Sequence, residues 1–149
     1  MRKSVLVSVM LALMTSSVLI SAAPRADAAT TCTGTGCNGL LAGNTTCAND
    51  AIIVDNEDYY VGGQLAGNLQ LKYSPSCRTV WGRLWTYIGN RGYATAKSPT
   101  VETSCNILVD GQAGCNTGMV YDAKVTSYAT GHIYSADGLT TYTWKTISY

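Results

Sequence analysis

The chain has no phenylalanine, one histidine and three prolines in 149 residues. A zinc site built on imidazoles is therefore excluded, and any Ser-His-Asp triad has to use His132. No G-x-S-x-G elbow accompanies a serine, so His132 is expected to be a solvent-facing strand residue and not a base. Charge is scarce, at 13% of residues, and nearly balanced, with 10 basic and 9 acidic side chains. That balance offers no electrostatic footing for nucleic acid or an anionic membrane. There is no C-x-x-C pair, and Asp55, Glu57 and Asp58 lack the D-x-D-x-D-G order of a calcium loop. No metal site and no cofactor are expected.

One long apolar run is present, from Val5 to Ile20, preceded by Arg2 and Lys3 and followed by Ala26-Asp27-Ala28. A positive start, an apolar stretch and an A-x-A site form a secretory signal peptide, expected to be cut after Ala28. Cleavage takes 28 of the 149 residues and leaves 121, enough for one domain. After that run no second segment is long and apolar enough to span a bilayer, so no membrane attachment is expected in the cleaved chain. The expected organisation is a signal peptide over 1–28, a Gly/Thr/Cys-rich segment over 29–49 and a single all-β domain over 50–149, secreted or cell-wall associated.

All six cysteines lie beyond the cleavage site, at positions 32, 37, 47, 77, 105 and 115. An even count in an exported chain implies disulfides. Sequence alone leaves the connectivity open; the expected pairing is Cys32–Cys37, Cys47–Cys77 and Cys105–Cys115, the last across a glycine-rich turn. Each bridge contributes about 2–4 kcal/mol in the loop-entropy picture.

Leu69, Leu71 and Tyr73 alternate with Gln70 and Lys72, which predicts a strand with one wet face. Tyr73 to Ser76 reads as a turn, and a second alternation follows. It sets Val80, Leu84 and Ile88 on one side and Trp81, Arg83, Trp85 and Tyr87 on the other. Trp81, Leu84, Trp85 and Ile88 also fit a helical stripe, but Gly82 and the β-branched and aromatic neighbours favour a strand. Ala51–Val54 and Tyr59–Val61 are expected as short strands separated by a charged turn, with further strands over 93–96, 101–109 and 119–129. Asp137-Gly138 predicts a two-residue hairpin turn, which would set Tyr134 opposite Thr141, Ile133 opposite Tyr142, His132 opposite Thr143 and Gly131 opposite Trp144. The sum is roughly six to eight short strands in an antiparallel sandwich or small barrel, stapled by disulfides.

Ten tyrosines and three tryptophans supply flat apolar surfaces with polar handles. Trp81, Arg83, Trp85 and Tyr87 would form an outer stripe suited to stacking on sugar rings or anchoring a protein. The competing reading covers this stripe with the 32–47 segment and makes it a second layer of core.

Three stretches, CTGTGCNG from Cys32, LQLKYSPSCRTVWGRL from Leu69 and GMVYDAKVTSYATG from Gly118, resemble the secreted bacterial domain-of-unknown-function family 2690. The resemblance runs from Cys32 to about Gly131, and Tyr73, Ser74, Cys77, Trp81 and Arg83 are its most specific part. It implies an exported or surface-exposed domain and carries over no catalytic residues. Leu41-Ala42 stands where the family often has Asp-Pro, and Cys105 with Cys115 looks like an addition. The expected function is therefore a monomeric, non-catalytic module that binds an envelope polysaccharide or a protein. A small hydrolase using an acid pair, and an inhibitor or toxin-like protein, are the alternatives.

Overall fold

In the computed structural model the described residues are 29–87, 91–108, 113–135 and 138–149. The expected signal peptide, Ile88, residues 110–112 of the expected glycine-rich turn and Asp137 of the expected hairpin turn lie outside them. Nine strands are described: β1 (Ile52–Val61), β2 (Gln64–Ser74), β3 (Thr79–Thr86), β4 (Gly92–Lys97), β5 (Glu102–Ile107), β6 (Gly114–Asn116), β7 (Val120–Tyr121), β8 (Tyr128–Tyr134) and β9 (Thr141–Lys145). They form two antiparallel sheets, one ordered β1-β2-β3-β6 with β7 also on β3, the other β5-β4-β8-β9.

The sheets pack face to face through alternating positions. Leu69, Leu71, Val80 and Leu84 from the first meet Ala94, Ala96, Ala129 and Ile133 from the second, all fully buried. Small residues let the layers approach. A Cβ on Gly131 would sit 3.3 Å from both Leu69 and Trp144, and one on Gly82 would sit 3.1 Å from Ala129. At one edge Tyr59 of β1 stacks on Trp144 of β9, with ring centroids 4.1 Å apart, closing the sandwich between sheets.

The hairpin register read from Asp137-Gly138 is the observed one, from Gly131 opposite Trp144 to Tyr134 opposite Thr141. The segment Thr79–Thr86 is a strand, as its glycine and β-branched residues demand. Two expectations are corrected. The expected strands at Ala51–Val54 and Tyr59–Val61 are, from Ile52 on, one strand, β1, because Asp55–Asp58 sits on an edge strand where alternate carboxylates can face water. Ile52 and Ile53 are accordingly 49% and 52% exposed. The alternation over 119–129 is not one strand: it gives the two-residue β7 and, at 128–129, the start of β8, since Lys124 between them takes a positive φ of 63°.

Leu69 is fully buried between the layers, so Leu69→Ala is expected to cost about 2–5 kcal/mol. Leu139→Ala, at an 86% exposed side chain, should stay within about 0.5 kcal/mol. Urea midpoints of the two variants check the contrast.

Candidate functional site: the outer face of the first sheet

The outward positions of β3 are Thr79, Trp81, Arg83 and Trp85, followed by Tyr87 just past the strand. The structure divides the stripe. Residues 29–49 fold as three 3-10 turns, Gly34–Cys37, Ala42–Asn44 and Thr46–Ala48. They lie over the Trp81 end, where Cys37, Ala42, Cys47, Cys77, Trp81 and Met119 make a second core. Trp81 is only 3% exposed there, so it presents no open surface. Backbone pairs fasten this layer: Gly34 N–H donates to the Cys77 carbonyl at 2.8 Å, and Gly39 N–H to that of Met119 at 2.9 Å. Asn38 Oδ1 accepts from the Tyr121 N–H at 2.7 Å. The bridges are Cys32–Cys37, Cys47–Cys77 and Cys105–Cys115.

The other half of the stripe is uncovered by that layer. Arg83 and Trp85 are half-buried and Tyr87 is 55% exposed. The Arg83 guanidinium lies 4.1 Å from the centre of the Trp85 ring, a cation–π arrangement that fixes a flexible side chain. Trp85 in turn lies over Gly114, whose Cβ would fall 2.9 Å from the ring.

Register brings in residues that sequence reasoning did not assign to the site. Asn68 pairs with Trp85 and Gln70 with Arg83, while Asn56 and Asp58 of β1 pair with Gln70 and Asn68. Asn56 Oδ1 accepts from Asn68 Nδ2 at 3.0 Å and Gln70 Nε2 at 3.1 Å, and Asp58 Oδ1 accepts from Asn68 Nδ2 at 2.8 Å. A fan of planar amide and carboxylate groups thus adjoins the arginine–tryptophan stack. The signal for this fan was the N-x-D spacing of Asn56 and Asp58 and the N-x-Q spacing of Asn68 and Gln70, but the pairing of β1 with β2 was needed to join the halves.

Lys72, beside Trp81 in register, reaches 5.8 Å from that ring. Burial, and next the Arg83 charge, push its ammonium below its usual pKa. Asp50 anchors the turn below the bridge. Its carboxylate accepts from the Ser74 hydroxyl at 2.5 Å and the Ser76 N–H at 2.8 Å. The Ser74 hydrogen bond leads in holding Asp50 below the ordinary 3.8, against the opposing effect of burial.

His132 faces outward on the second sheet, stacked on Tyr93 at 4.1 Å with Nδ1 2.9 Å from the Thr143 hydroxyl. Burial lowers its pKa. Among the described acids, Asp55 accepts from the Ile147 N–H and Glu102 pairs with Lys97, so these two carboxylates have neutral or cationic partners. Asp122 is buried, and burial raises its pKa.

A family model described as "Protein of unknown function (DUF2690)" matches residues 35–130, close to the span marked out by the motifs. No curated protein and no solved structure matches the chain.

Trp81→Ala is expected to cost about 3–5 kcal/mol, and Trp85→Ala clearly less, by chemical denaturation. Asp50 adds a pH signature. Its folded pKa is depressed, so its contribution is full above 3.8 and fades as pH falls through the lower folded value. Denaturant midpoints titrated into the acid range should lose that component in Asp50→Asn.

Proposed function

The chain belongs to the DUF2690 family of proteins of unknown function, and we propose that it is an extracellular, non-catalytic module that binds envelope polysaccharide. The observation that carries this reading is the Arg83–Trp85 stack set against the Asn56/Asp58/Asn68/Gln70 fan on one sheet face. Sugar rings present apolar C–H faces and rims of hydroxyls that both donate and accept. An aromatic surface with Tyr87 beside it answers the first, and planar amides, a carboxylate and a guanidinium answer the second. The three disulfides support an extracellular setting.

The test is retention of the purified protein on insoluble cell-wall glycan. Arg83→Ala and Trp85→Ala are each expected to weaken retention by about tenfold, the loss of one hot-spot contact. Tyr87→Ala should have a smaller effect. Undiminished retention of an Arg83→Ala/Trp85→Ala/Tyr87→Ala variant with wild-type circular dichroism overturns the reading.

A further inference from the structure

Four of the six cysteines converge at one point beneath the 29–49 layer. The Sγ atoms of Cys32, Cys37, Cys47 and Cys77 all lie within 4.8 Å of one another. Across the two bridges the sulfurs approach to 3.5 Å between Cys32 and Cys47, and 3.8 Å between Cys37 and Cys47. In a tetrahedral tetrathiolate centre with zinc–sulfur bonds of about 2.3 Å, the sulfurs stand about 3.8 Å apart. Two of the four non-bonded separations therefore already approximate the edges of such a tetrahedron, and the other two are no longer than 4.8 Å. The two covalent contacts would have to open, each by less than about 2 Å.

We propose that this group, when both bridges are reduced, is a tetrahedral four-thiolate site for a zinc-class divalent cation. The chemistry balances with a dithiol as reductant. Each bridge accepts two electrons and two protons, and one equivalent of dithiol becomes a disulfide. The four thiols then release four protons as they bind one divalent cation, so the centre carries two negative charges. The surroundings are those of a closed structural site. Cys37 and Cys47 are fully buried and Cys77 is 2% exposed, while half-buried Cys32 gives a route in from solvent. Ser76 Oγ lies 3.8 Å from Cys77 Sγ as a hydroxyl donor to that sulfur. The same four residues thus have two covalent ways to hold the layer over Trp81: two disulfides under oxidising conditions, or one metal under reducing ones. Cys105 and Cys115 supply only two sulfurs elsewhere and serve as an internal control.

The full chain is reduced with a phosphine under anaerobic conditions and titrated with cobalt(II), then zinc(II). The expected result is one cobalt per chain with the intense visible bands of a tetrahedral thiolate complex, bleached by one equivalent of zinc. A Cys105→Ser/Cys115→Ser variant should keep these bands, and Cys47→Ser and Cys32→Ser should lose the four-sulfur spectrum. Failure of the wild-type chain to form a one-to-one tetrahedral complex overturns the proposal, as do bands that survive unchanged in Cys47→Ser.

Discussion

The bridge between Cys47 and Cys77 is the constraint on which the outer face depends. The 29–49 segment has too little apolar material to order itself: its leucines, Leu40 and Leu41, remain 38% and 47% exposed. What it buries is mostly sulfur, alanine and backbone, and that gain is small against the cost of fixing each residue. Cys77 lies at the β2–β3 turn, so a bond to Cys47 lowers the entropy that the open chain would have to give up. A loop of 30 residues closed this way is worth about 3–4 kcal/mol in the chain-entropy picture. With the layer held, Trp81 becomes core and Trp85 does not.

The turn that carries Cys77 is built to hold it. Arg78 takes a positive φ of 57°, and its N–H donates to the Ser74 carbonyl at 2.8 Å. Ser74 is fully buried, accepts from the Cys77 N–H at 3.3 Å and donates to Asp50, which lies just after Cys47 in the chain. The covalent tie and the carboxylate tie therefore run in parallel between the same two segments. This also gives a physical role to the serine and cysteine of the YSPSC motif. They set the position of the tie, while the neighbouring tryptophan fills the space the tie encloses.

Much of this was legible in the sequence because two-residue alternation and a two-residue turn are strong constraints. Leu69, Leu71, Val80 and Leu84 declared their faces, and Asp137-Gly138 allowed only one register for Ile133, Tyr142 and Trp144 once a hairpin was assumed. Sequence left the disulfide connectivity open, and the structure closes two of the three bridges over short separations. Three things were hidden. β1 runs straight through Asp55–Asp58, because exposed acids are compatible with an edge strand and give no sign of pairing. Cys115 sits in a short strand, β6, which no alternation in the sequence announces. The amide fan depends on a register shift in β1 between Ile53 and Asp55, and no sequence pattern marks that bulge.

The division of the β3 stripe also bears on what the open half can do. A long arginine on a bare strand samples many rotamers, and binding through it would cost about 0.5–1.5 kcal/mol in ordering. Here the Trp85 ring holds the guanidinium at 4.1 Å, and Gly114 leaves room for the ring to lie flat against the sheet. Asn68 is 4% exposed, with its amide committed to Asn56 and Asp58, so the fan is fixed in the same way from below. Much of the ordering is thus done when the sheet forms and need not be repeated when a ligand arrives. Because the buried half of the stripe is tied to the same β2–β3 pair, loosening the sulfur cluster would act first on Trp81, and only through the strand itself on Arg83 and Trp85. Rigidity of the open face and closure of the covered one are two results of one strand pairing.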